Sequence, residues 1–96
     1  MRWRLSLRAR ADLREIFETI AFDDRQAAMR WANRMRERAR LAGRSPGLGR
    51  RVPELDRDDV REAIVGNYRL IYSVGPKAVT IMTIMEGHRL LPQDLI

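Results

Sequence analysis

Residues 60–85, VREAIVGNYRLIYSVGPKAVTIMTIM, decide how this chain folds: three apolar runs are broken at Gly66-Asn67 and again at Gly75-Pro76-Lys77. The runs are short and rich in β-branched and aromatic residues, and a two-residue break of this kind is a hairpin signal. The pattern predicts an antiparallel three-stranded meander over Val60–Val65, Tyr68–Val74 and Ala78–Met85. Pairing Val65 with Tyr68 and Val74 with Ala78 across the two turns sorts the side chains by alternation. One face then holds Ala63, Val65, Leu70, Tyr72, Val74, Met82 and Ile84, apolar enough to meet helices. The other holds Val60, Glu62, Ile64, Arg69, Ile71, Ser73, Val79, Ile81, Thr83 and Met85. That second face is too apolar for solvent, yet Arg69 and Glu62 lie near its middle, as on a recognition surface. Either the C-terminal tail, with Leu90, Leu91, Leu95 and Ile96, folds over it, or a partner covers it.

Upstream, Trp3 and Leu5 alternate with Arg2 and Arg4, the period of a short half-buried strand. Ser6 offers a helix N-cap, and Ala9, Leu13, Ile16, Phe17 and Ile20 recur at spacings of three and four, predicting an amphipathic helix to about Ala21 or Phe22. Asp23, with Gln26 three residues on, resembles a capping box for a second helix, whose stripe is Ala28, Trp31, Ala32, Met35, Ala39 and Ala42. That helix is expected to end near Gly43 on a glycine C-cap, and the tight junction implies an antiparallel hairpin. Residues 43–59, punctuated by Gly43, Pro46, Gly47, Gly49 and Pro53, read as a surface loop. Its acids Glu54, Asp56, Asp58 and Asp59 lack the spacing of a calcium loop and read as solvated rather than as a metal site. Strand, helix, helix and three strands in that order predict an α+β fold, with the hairpin packed on one face of the sheet.

Length and composition narrow the function. A chain of 96 residues accommodates one domain, here residues 1–96, and a single core. Without cysteine, and with His88 as the single histidine, there is no disulfide framework and no thiolate or multi-histidine metal centre, so neither metal nor cofactor is expected. The N-terminus meets charge at once and no stretch is long and apolar enough to cross a bilayer, so a cytoplasmic protein without membrane contact is expected. Nineteen basic residues, all arginine except Lys77, stand against thirteen acidic ones for a net charge of +6. The balance suits a polyanionic partner such as nucleic acid, a ribosome or an acidic protein segment, or an ordinary solvated surface. Arg30, Arg34, Arg36, Arg38, Arg40 and Arg44 on the second helix, with Glu37 alone among them, pose the same choice locally.

Several pieces carry a family likeness: the N-terminal strand ending in Leu5-Ser6, residues 10–17 (RADLREIF), 46–50 (PGLGR), 60–62 (VRE) and 68–72 (YRLIY), and His88-Arg89 after the last strand. In this order and spacing the sequence resembles the ParE/RelE superfamily of bacterial toxin–antitoxin toxins, across nearly the whole chain. The resemblance implies a compact toxin fold neutralised by an antitoxin that wraps over helices and sheet, often in a two-plus-two hetero-oligomer. Members of the ParE branch act on DNA gyrase, whereas RelE-like and YoeB-like members cut messenger RNA in the ribosome. The PGLGR loop and the long hairpin look more like ParE. A gyrase inhibitor with a ParD-like antitoxin is therefore the expectation.

The nuclease alternative needs a base, a cation for the phosphorane and an acid, and Glu62, Arg69 and His88 could fill those roles without a metal. Arg69 and His88 resemble the corresponding YoeB-like positions, but Arg89 stands where those nucleases carry a tyrosine. The simpler reading makes Glu62 and Arg69 a cross-strand ion pair contributing up to about 1 kcal/mol, and His88 a residue of an exposed turn. No catalytic residue is favoured on this basis. As antitoxin or target contacts, the reading selects Arg69, Ile71, Ile81, Met85, His88 and Arg89.

Overall fold

The structure is a computed structural model that describes residues 1–95; Ile96, read above as part of the covering tail, lies outside the described residues. Strand β1 (Arg2–Leu5) leads into helices α1 (Leu7–Asp23) and α2 (Arg25–Arg44). Strands β2 (Arg50–Arg51), β3 (Val60–Val65), β4 (Tyr68–Val74) and β5 (Ala78–Glu86) follow. The sheet order is β1-β5-β4-β3-β2, with β1 parallel to β5 and the other pairs antiparallel. The α+β prediction holds, with two differences in the sheet. The strand at the N-terminus joins the far edge of the meander, and a two-residue strand forms inside the stretch read as a loop.

Caps set the helix ends. The Ser6 hydroxyl accepts from the Ala9 amide at 3.0 Å and starts α1. Asp24, not Asp23, starts α2: its backbone is extended, and its carboxylate accepts from the Ala27 amide at 3.0 Å. The same residue closes α1 through its own amide to the Ile20 carbonyl, so a single residue joins the hairpin. Helix α2 runs past Gly43 to Arg44. Gly43 is a helical residue whose missing side chain lets β1 approach, since a Cβ there would lie 2.9 Å from the Met1 carbonyl oxygen. The glycine marks close packing rather than a cap.

The register of the meander explains where its side chains go. Val65 pairs with Tyr68 as expected, and Gly66 takes a positive φ of 60°, the first position of a type II′ turn. At the second turn Val74 pairs with Val79 instead of Ala78, a one-residue slip that sends Val79 and Ile81 to the helix side. A β-bulge between Ile71 and Tyr72 then absorbs Met82 and restores the expected parity for Thr83, Ile84 and Met85. Ile81 consequently sits fully buried in the main core beside Leu70 and Tyr72, not on the opposite face. That core also takes Trp31, Met35 and Ala39 of α2, and Trp31 meets Tyr68 edge to face with ring centroids 5.5 Å apart.

The opposite face of the sheet has its own small core. Val60, Ile71 and Met85 pack there under Val52 and Leu55 of the β2–β3 connection and under Leu91 and Leu95 of the tail. Self-coverage, one of the two alternatives for this face, is what the fold adopts. No helix among the described residues is long and apolar enough to cross a membrane.

Candidate functional site

Arg69 sits at the centre of the covered face, in β4 of the antiparallel sheet, and its surroundings are built strand by strand. From β4 it reaches diagonally to Glu62 on β3, Nε to Oε1 at 2.7 Å. Glu62 lies directly opposite Arg50 on β2, which donates Nε to its other oxygen at 2.7 Å. On its outer side Arg69 makes a two-pronged contact with Glu54, at 2.8 and 2.7 Å, a geometry that suits the planar guanidinium. Its Nη1 also donates to the Arg89 carbonyl at 3.2 Å, while the Leu91 amide donates to Glu54 at 3.3 Å. A continuous chain, Arg50–Glu62–Arg69–Glu54, thus ties three strands, a loop and the tail together.

The electrostatics follow from those contacts. The Glu62 side chain is completely buried and the Arg69 side chain nearly so. Hydrogen bonds from Arg69 hold the Glu54 carboxyl at about 2, against its ordinary 4.5. The two carboxylates in turn raise the Arg69 guanidinium further above its already high value, with Glu54 the larger influence. Every member is paired, as a charge removed from water requires.

The structure therefore separates the residues that sequence reasoning had grouped. Arg69, Ile71 and Met85 do lie on one face, but beneath loop and tail, and Arg69 is no open anchor. Ile81 is on the other face of the sheet altogether. His88 stands outside the network, 82% exposed, with Nε2 3.3 Å from Glu86. It lines an open depression with Ile64, Asn67 and Tyr68 at the β3–β4 turn. Arg89 is exposed and contributes only its backbone carbonyl to Arg69. Glu62, Arg69 and His88 do not converge on a shared open surface.

Glu54 and Arg50 are the members the sequence reading missed. Glu54 was grouped with the solvated loop acids, and each of those four acids has an arginine partner. Asp56 and Asp58 meet Arg51 at 2.8 and 3.2 Å, Asp59 meets Arg57 at 2.7 Å, and Glu54 meets Arg69. Among the described residues no group of three or more candidate metal ligands occurs. The sequence showed Arg69 on an apolar face with Glu62 diagonal to it, a balanced pair that gave no sign of Glu54 as a second partner.

Two further contacts position the frame. The buried Tyr72 hydroxyl donates to the Pro46 carbonyl at 2.6 Å and accepts from the Gly49 amide at 3.0 Å, anchoring the PGLGR segment to the sheet. On the far edge, β5 runs past the end of β1. There the Ser6 hydroxyl donates to the Met82 carbonyl at 3.0 Å, and the Asp12 carboxylate accepts from the Ile84 amide at 3.1 Å and from the Thr83 hydroxyl.

Comparison with known proteins agrees with this architecture. No curated protein sequence matches the chain. A solved structure from P. aeruginosa, titled a chromosomal ParDE TA system, has the same fold at a TM-score of 0.73 and 18% identity, covering 90% of this chain and 95% of that one. The model of the family described as the ParE toxin of type II toxin–antitoxin system, parDE, matches residues 3–91. With its core, its PGLGR anchor and its buried arginine all inside that match, the chain belongs to the ParE toxin family of type II toxin–antitoxin systems.

Proposed function

We propose that this ParE toxin works in the cytoplasm by binding rather than by chemistry, inhibiting DNA gyrase until a cognate ParD-like antitoxin neutralises it. The observation that carries the reading is the closure of the Glu62–Arg69 pair: Glu62 is held by two arginines and is completely buried, so it has no access to a ribose hydroxyl. A general base must come within hydrogen-bond reach of the proton it takes, and here the tail and the Glu54 loop stand in the way. His88, the acid candidate of the nuclease alternative, faces solvent beside the β3–β4 turn, outside the Glu62–Arg69 network. The solved ParDE system with the same fold supports an antitoxin partner of the ParD kind. His88 and Arg89 stay accessible as contact residues, whereas Arg69, Ile71 and Met85 act from beneath the surface.

The test is induction of the chain alone in bacteria, with plasmid supercoiling and the integrity of translated messages followed together. Loss of supercoiling and a DNA-damage response with intact messages are expected, unchanged by His88→Ala. Codon-positioned message cleavage that disappears in His88→Ala would make the chain a ribonuclease and overturn the proposal.

A further inference from the structure

Between the helical hairpin and the sheet the core leaves a cavity of about 110 Å³. Its floor is the cross-strand pair Leu70–Ile84 with Met35 and Ala39 beside it, all four buried. Its rim is only half-buried: Trp3 comes from β1, Leu13 from α1 and Ala32 from α2. Ala32, Met35, Arg36 and Ala39 recur at spacings of three and four, so all four lie on one side of α2. The two alanines, with nothing beyond Cβ, leave the space that a larger side chain would fill. Arg36 is the one polar side chain of the lining, and it stands exposed at the mouth. Among the described residues no carboxylate lies in ion-pair reach of it.

Water suits this space poorly. A buried water needs about two to four polar partners, and a single guanidinium at the mouth supplies too few. An apolar cavity of roughly 150 Å³ stays dry and takes benzene, so a hollow of this size that opens at one end has room for one small ring. We infer that the cavity is a binding site for a small aromatic carboxylate, its ring seated over Leu70 and Ile84 and its charge held outside by Arg36. The lining selects a ring: the Trp3 indole offers an aromatic neighbour, and the Met35 thioether makes favourable contacts with aromatic edges. The mouth selects the charge, because a planar guanidinium matches a carboxylate with two parallel hydrogen bonds. A bound ligand touches α1, α2, β1 and the sheet at once, so occupancy stabilises the packing of the hairpin on the sheet.

The test is a titration of the full chain, carbon-13 labelled at its leucine, isoleucine and methionine methyls, with benzoate as the probe. A parallel titration uses toluene, which has the ring without the charge. Saturable shifts at Leu13, Met35, Leu70 and Ile84 are expected with both, and a rise in Tm with benzoate. Arg36→Gln, an exposed change, should weaken benzoate about threefold to fivefold, the reach of an exposed ion pair, and leave toluene unaltered. Ala32→Leu fills the hollow from its half-buried rim and should abolish binding of both probes; if that variant fails to fold, the shift map and the Arg36→Gln comparison decide. Absence of saturable shifts at those methyls, shifts centred elsewhere, benzoate binding indifferent to Arg36→Gln, or undiminished binding in a folded Ala32→Leu variant each overturns the inference. Magnetisation transfer from water to the Leu70 and Ile84 methyls that benzoate leaves in place would make water the occupant and overturn it too.

Discussion

Replacing Arg69 with methionine tests how far the fold depends on its buried charge network. The substitution keeps the side chain's bulk while removing two ion pairs of 2.7 Å, to Glu62 and to Glu54. Breaking a buried pair from one side costs about 3–5 kcal/mol, against about 0–1 kcal/mol for an exposed pair. Two circumstances soften the higher figure here. Glu62 keeps Arg50 at 2.7 Å, and Glu54, 29% exposed, can turn to water. We therefore expect Arg69→Met to destabilise by about 2–4 kcal/mol, a fall in Tm on the order of 10–25 °C for a domain of this size. Urea unfolding and thermal melts measure the loss. A double-mutant cycle with Glu62→Gln should show coupling above about 1 kcal/mol, because the double variant leaves no buried charge unpaired. A loss below about 1 kcal/mol, or strictly additive effects, would refute the claim that the network is buried and coupled.

Three other perturbations test separate parts of the frame. Glu54, held at about 2 against an ordinary 4.5, stabilises the fold fully above the unfolded value and loses that contribution as pH falls toward 2. The stability gap between the parent and Glu54→Gln, followed by urea midpoints, should accordingly narrow from pH 5 to pH 2. Gly49→Ala would drive a Cβ into the Tyr72 hydroxyl and to 2.7 Å from the Glu62 carbonyl oxygen, and should destabilise by about 1–3 kcal/mol in thermal melts. Asp12→Ala strips the acceptor from the Ile84 amide and the Thr83 hydroxyl, so a loss of about 1–3 kcal/mol is expected, with faster hydrogen exchange at the Ile84 amide.

Periodicity made the hairpin, the meander and the first turn legible, because each is a local pattern with its own punctuation. The likeness carried by RADLREIF, PGLGR and YRLIY made the family legible too, and the match over residues 3–91 agrees with it. What escaped was set by tertiary structure. A two-residue strand has no period to detect, so β2, and with it the Arg50–Glu62 pair, could not be seen. The slip at the second turn depends on one residue of loop length, and a bulge between Ile71 and Tyr72 reverses it, so Val79 and Ile81 fall on the face opposite to the expected one while Met85 falls on the expected face. Gly43 carried the signal of a cap, yet its reason lies in the approach of Met1 and Trp3, far away in sequence. Arg69 was found as a centre, but not that Glu54 and the tail would close over it.

That closure bears on how so small a toxin can act. With α1 and α2 on one face of the sheet and the loop and tail on the other, both faces are already spent on folding. A partner bound directly to the Arg69 face would have to displace Leu91 and Leu95, reopen the Glu54 contacts and rehydrate Glu62, giving up stability a small domain can scarcely spare. Surfaces outside those cores carry no such cost. Phe22, 91% exposed at the end of α1, the groove that Arg34 and Arg38 line between α2 and the end of β3, and the His88 turn are all in place without rearrangement. Under the proposed function, a target and an antitoxin would both bind on surfaces outside those two cores and leave the charge network shut.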